Sequence, residues 1–240
     1  MTTTKLAMIS VVKPDEVDLA LNLLRSLQKF KIHPYHMSYV LDEASDDKIK
    51  SAGFNATLIR EDGEGARPPA HILKYGIIGS LMKGFSHIWY MSPSSFVKGN
   101  VTAFFHHDCP KEKDAILQVT AGKLNPDCML LRSKETLYAL CHHMSTKVPH
   151  EADEAQVLTD ILPRVEPRLD TSLLQDKAFP SASLFFGPSE AHDKYVEDGA
   201  QPLFVCTRGL GDGETCMRAL KAKGLWLEEE RESVAEKAQN

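Results

Sequence analysis

The segment Cys206-Thr207-Arg208-Gly209-Leu210-Gly211-Asp212-Gly213-Glu214 has residue types suited to holding an anion. Its three glycines allow close backbone approach and positive φ, so amide N–H groups near a helix N-terminus can point at phosphate oxygens. Arg208 supplies a positive charge. Asp212 and Glu214 work against a phosphate, and a glycine turn carrying a solvated arginine would use the same residues. Asp153 and Glu154, with His150 nearby, include a candidate general base for a hydroxyl; an acid-rich helix N-terminus is the alternative use. Asp42 closes an apolar run, where its carboxylate can accept from a ribose or a base N–H or cap the next turn. His106-His107-Asp108-Cys109 and Cys141-His142-His143 contain metal-ligating types, but adjacent ligands without Cys-x-x-Cys spacing converge poorly on zinc. They read as loop and helix-surface residues.

The elements that must position these groups alternate. Apolar runs at Lys5–Val12, His36–Leu41, Thr57–Arg60 and Ser86–Met91 read as strands. Between them, Pro14 opens a helix whose Val17, Ala20, Leu21, Leu24 and Leu27 share one face. Ser45–Ala52 reads as a second helix stopped by Gly53, and Ala70–Lys83 as a third closed by Gly84. A polar loop spans Glu61 to Pro69. This order predicts a mostly parallel sheet covered on both faces, with ligands gathering at the carboxyl ends of the strands, after Val12, Leu41 and Met91. The second half is expected to add strands at Ala115–Thr120, Cys128–Arg132, Ser183–Phe186 and Pro202–Cys206. Its helices are expected at Lys134–Met144, Glu154–Leu162 and Glu214–Lys223. Trp89 and Trp226 are expected to pack between elements rather than serve as sugar platforms.

The 240 residues are 42% hydrophobic and 25% charged with a formal net charge of −5, which excludes a mainly disordered chain and disfavours nucleic acid as a partner. No apolar run approaches the roughly 20 residues of a membrane span, and no signal peptide is readable. Five cysteines, an odd count, suit reduced thiols in a cytoplasmic compartment.

The order of short segments resembles the nucleotide-diphospho-sugar transferases of glycosyltransferase family 77 type, which have the GT-A fold. The segments that carry the likeness are Leu21–Leu27, Tyr39-Val40-Leu41-Asp42-Glu43, Leu73-Lys74-Tyr75 and Gly84–Trp89. Further along come Leu124-Asn125 with Met129–Ser133, then Phe179-Pro180-Ser181 and Gly224-Leu225-Trp226. The resemblance implies a single α/β domain over residues 1–227, a Rossmann-like mixed sheet with helices on both faces, followed by a charged tail at 228–240. It implies a nucleotide-diphospho-sugar donor and a glycan or protein acceptor. Taken with the glycine turn and the acid pair described above, it gives expected donor contacts at Val11, Val12, Asp42, Lys74, Ser92, Arg208, Gly209 and Gly211, and expected catalytic roles for Asp153 and Glu154.

Departures from the family pattern fall on the functional words. The Asp-x-Asp that holds a divalent cation after the fourth strand is replaced by Met91-Ser92-Pro93-Ser94, and no Asp or Glu occurs between Glu64 and Asp108. A family His falls on Cys206, a soft ligand ill-suited to Mg²⁺ or Mn²⁺. Asp127 stands where Gly is usual. The expectation is therefore a cation pocket without anionic groups, no divalent metal cofactor, and either metal-independent transfer or a catalytically inactive homologue that binds nucleotide or glycan or acts as a scaffold.

Overall fold

The computed structural model describes residues 5–60, 68–146, 153–165 and 167–228. Most of the loop from Glu61, His150 and nearly all of the charged tail lie outside the described residues. The first half runs β1 (Leu6–Val12), α1 (Val17–Lys29), β2 (His36–Val40), α2 (Glu43–Ser51), β3 (Ala56–Leu58), α3 (Ala70–Leu81) and β4 (His87–Met91). It continues through β5 (Ser95–Val97), α4 (Val101–His107), β6 (Ala115–Thr120), β7 (Lys123–Arg132), α5 (Glu135–Thr146) and α6 (Glu154–Ile161). The remainder is β8 (Thr171–Leu173), α7 (Ala182–Phe186), α8 (Ser189–Glu197), β9 (Phe204–Cys206) and α9 (Gly213–Ala222).

Seven strands form one sheet in the order β3-β2-β1-β4-β7-β6-β8. Only β7 is reversed among them, pairing antiparallel with both β4 and β6. The reversal follows from the two-residue hairpin Ala121-Gly122, where both residues have positive φ, 51° and 76°. Such a turn matches the twist of its flanking strands. β1 is apolar at nearly every position because both its faces are covered. Met8 and Val12 join α1 residues such as Leu24 and Leu27 on one side. Ala7, Ile9 and Val11 face Tyr75 and Ile78 of α3 on the other. A third cluster joins Leu19 of α1, Phe96 of β5, Val205 of β9 and Leu220 of α9, with Trp226 packed at its border. Trp89 is fully buried in the first core. Both tryptophans thus pack between elements.

The mixed, mostly parallel sheet matches the sequence expectation, with β5 and β8 added and three of the expected strands changed. Ser183–Phe186, expected as a strand, lies within the helix α7. Ser181 caps that helix by accepting from the Leu184 N–H at 3.4 Å, which overrides the β preference of the apolar run. β7 starts at Lys123 rather than Cys128. β9 leaves the main sheet to pair with β5 in a separate two-stranded ribbon.

Candidate functional site

A cleft of about 900 Å³ opens at the carboxyl ends of the parallel strands. Val11 and Lys13 line it after β1, Leu41 after β2, and Tyr90 and Ser92 at the end of β4; the turn Thr207–Gly213 faces them. The ribbon holds that turn, because Thr207 Oγ1 donates to the Ser94 carbonyl at 2.8 Å and β9 pairs with β5. Gly209 and Gly211 sit at φ +91° and +132°, conformations that glycine alone adopts without strain. Asp212 then caps α9, accepting from the Thr215 N–H at 2.9 Å.

The wall opposite the turn is a buried ionic cluster. Lys74 of α3, with 2% of its side chain exposed, forms an ion pair with Glu154 at the start of α6. Its ammonium also donates to the Pro126 carbonyl at 2.9 Å and lies 4.6 Å from the Tyr90 ring centre. The Tyr75 hydroxyl donates to Glu154 Oε1 at 2.8 Å. Burial, then the Glu154 carboxylate, pushes the Tyr75 hydroxyl well above the usual phenol range. Lys74 is thus held inside the protein by its neighbours rather than projecting as a free cation.

The second cluster lies at the end of β4. Ser92 N–H donates to the Asp127 carbonyl at 2.9 Å, and Met91 pairs with Cys128, so antiparallel β7 delivers Asp127 beside the Met91-Ser92 corner. Arg208 Nη1 donates to Asp127 Oδ2 at 3.1 Å. Burial alone would lower the Arg208 pKa, but the Asp127 carboxylate reverses this and raises it. The expectation of a pocket without anionic groups is therefore corrected: its carboxylate comes from β7, in space rather than in sequence. Lys13 completes the set with Glu16 at 3.1 Å and Asp15 at 3.9 Å. Among the described lining residues, five carboxylates (Asp15, Glu16, Asp127, Glu154, Asp212) face three cations (Lys13, Lys74, Arg208), and each cation has a carboxylate partner.

The expected site residues divide on this geometry. Val11, Lys74, Ser92, Glu154, Arg208, Gly209 and Gly211 line the one cleft. Val12 belongs to the core on the opposite face of the sheet. Asp42 stands outside the lining and caps α2, its Oδ1 accepting from the Ser45 N–H at 2.9 Å and its Oδ2 from the Ser45 hydroxyl at 2.5 Å. Asp153 likewise caps α6 through the Ala155 N–H at 3.1 Å and pairs with Lys123 at 2.8 Å. The Lys123 hydrogen bond holds the Asp153 carboxyl below the usual carboxylate range. Sequence reasoning missed the pairing of Asp127 with Arg208 and the Tyr75 hydroxyl on Glu154; neither leaves a local signal, since the partners are 81 and 79 residues apart.

The oxygen groups a cation could meet at the end of β4 are the Ser92 and Ser94 hydroxyls, bonded to each other at 3.1 Å, and an Asp127 carboxylate that accepts from Arg208. Cys206 is buried, and burial pushes its thiol up to about 12, so it stays protonated. No group of three His, Cys, Asp or Glu side chains among the described residues is placed to share a metal ion.

The chain matches no protein-family model, and comparison with curated proteins finds no match. Among solved structures it is similar to a glycosyltransferase involved in glycosylation of the major capsid of PBCV-1, at 14% identity and a TM-score of 0.54, covering 90% of this chain and 98% of that one. It is similar to the glycosyltransferase GlyE of Streptococcus pneumoniae TIGR4, at 15% identity and TM-score 0.56, covering 95% of this chain and 66% of that one. The galactosyltransferase LgtC, solved with donor and acceptor sugar analogues, matches at 11% identity and TM-score 0.54 over 91% of this chain and 94% of its own. At these identities the likeness lies in the fold. The chain has the GT-A-type glycosyltransferase fold, and its cleft lies where that fold's sheet presents its carboxyl edge.

Proposed function

We propose that the chain binds a nucleotide-diphospho-sugar in this cleft and transfers the sugar to a glycan or protein acceptor hydroxyl without a divalent cation, in a cytosol-like compartment. The observation that carries the proposal is Arg208. Its guanidinium is fixed at the β4 corner beside Ser92, next to a glycine turn whose backbone can approach a phosphate closely. Hard dications prefer several oxygen ligands, usually carboxylate; two mutually bonded hydroxyls, one arginine-paired carboxylate and a protonated thiol do not fit one. A fixed guanidinium beside a leaving diphosphate stabilises developing charge with little reorganisation. Val11 and Leu41 would flank the nucleoside. No span-length apolar helix occurs among the described residues.

A second reading is a catalytically inactive homologue that binds nucleotide or glycan. It is favoured by the state of Glu154, the one proposed catalytic carboxylate that lines the cleft, whose Oε1 is already engaged by Lys74 and Tyr75. Calorimetry with a panel of nucleotide sugars, in EDTA and in Mn²⁺, tests both, together with assay of released nucleoside diphosphate. Binding in EDTA with turnover lost in Arg208→Ala supports the enzyme. Binding in EDTA with no turnover toward any acceptor supports the second reading. Binding that requires Mn²⁺ overturns the metal-free site, and no binding to any donor overturns both.

A further inference from the structure

We infer that Asp127 is a positioning residue that holds Arg208 at the β4 corner and competes with an incoming diphosphate for it; this rests on the donor site proposed above. The carboxylate is itself anchored from behind. Its backbone N–H donates to Asn125 Oδ1 at 3.0 Å, and Asn125 Nδ2 donates to Gln118 Oε1 at 2.6 Å. Gln118 is in turn fixed by the Phe179 and Pro180 carbonyls at 2.9 and 2.8 Å. Gln118 and Asn125 are fully buried, so this polar chain is a rigid mount.

The pair it presents differs from the buried pair of the cleft. Lys74 and Glu154 are sealed, whereas the side chains of Arg208 and Asp127 are 28% and 17% exposed and both line the cleft. Carboxylate and phosphate use the same planar donor fork of a guanidinium. A phosphate reaching Arg208 must displace Asp127 or share the fork with it, and meets the carboxylate's negative charge in either case. Glu154 acts on Arg208 with the same sign. Asp127 therefore trades affinity for placement: it keeps the arginine at the corner and weakens the grip on the diphosphate.

The test is calorimetry in EDTA, at low and high salt, with inorganic pyrophosphate and a panel of common nucleoside diphosphates. Wild type, Asp127→Asn, Arg208→Gln and the double variant are compared, with Asp127→Ser as a second neutral replacement should Asp127→Asn unfold. Removing the carboxylate is expected to tighten binding about tenfold, equivalent to about 1.4 kcal/mol, with a steeper salt dependence. Arg208→Gln is expected to lose binding, and the double variant to match it. Neutral replacements that bind no tighter than wild type overturn the inference and leave the donor site standing. A gain that persists in the double variant also overturns it, since the effect would then not pass through Arg208. Absence of binding in every variant removes the donor site and this inference together.

Discussion

The sealed pair Lys74–Glu154 makes the sharpest stability prediction. Lys74 is 1% exposed and Glu154 8%, so removing either charge strands the other inside the protein. Lys74→Met, which keeps the length of the side chain, leaves Glu154 with the Tyr75 hydroxyl as its remaining side-chain donor among the described residues. Glu154→Gln leaves the ammonium with the Pro126 carbonyl and the Tyr90 ring face. Breaking a buried pair from one side costs about 3–5 kcal/mol, because the desolvated charge has lost its counter-ion. In a chain of 240 residues that corresponds to a fall in Tm of roughly 6–20 °C. The double variant removes both charges, and the amide oxygen that Glu154→Gln introduces still accepts from Tyr75, so its loss is expected to be about 1 kcal/mol or less. Urea unfolding of the four proteins gives the coupling energy directly. Single variants that each cost under about 1 kcal/mol, as exposed pairs do, would refute the argument. Losses that simply add in the double variant would refute it as well.

Three further outcomes are expected. His36 is buried with neither ring nitrogen hydrogen-bonded among the described residues, and burial lowers its pKa to about 3. The unfolded chain takes up that proton below about 6.5 while the folded one does not, so stability is lost as pH falls from about 6.5 toward 3, by up to about 1.4 kcal/mol per unit. His36→Leu should flatten this slope in urea titrations at pH 6.5 and 4.5, and parallel curves would refute the assignment. Asn22 is buried and clamps the segment after α9 by donating to the Leu225 carbonyl at 3.1 Å and accepting from the Leu227 N–H at 2.7 Å. Asn22→Ala should cost roughly 2–4 kcal/mol and speed hydrogen exchange at Leu227, whereas unchanged exchange would deny the clamp. Gly211→Ala, at φ +132° with Thr215 Cβ 3.4 Å from the added methyl, should cost about 1–3 kcal/mol and weaken anion binding at the turn, both measurable on one purified variant.

Much of the sheet was legible because strands buried on both faces are written as nearly unbroken apolar runs, and β1 and β4 are of that kind. Two of the short strands were not. Ser95–Val97 and Thr171–Leu173 have three residues each, too few for a period to show, and exist because a partner strand is there to pair with. The start of β7 was hidden by Asn125-Pro126-Asp127, which reads as a turn. The ladder to β6 shifts between Leu117 and Gln118, leaving Pro126, Asp127 and Cys128 without partners on that side. A proline costs little at such a bulge, and the bulge frees Asp127 to enter the cleft.

The same bulge explains why the site was only half legible. The glycine turn is a local word: its spacing alone announces positive φ and an exposed backbone. Charges are not local words. Arg208, Lys74, Asp42 and Asp153 each looked available for a ligand when taken singly. The fold gives two of the acids to helix caps and binds both cations to carboxylates, with Asp127 lying 81 residues from Arg208 and Glu154 80 from Lys74. A ligand phosphate is therefore not met by a free cation among these residues but by pairs, and what it gains is set by the pair that opens most cheaply. Lys74–Glu154 is too deeply buried to open without losing stability. Arg208–Asp127 lies at the strand corner with solvent on both partners, as Lys13–Glu16 does after β1, so what a phosphate gains at the corner turns on how far the arginine pair yields.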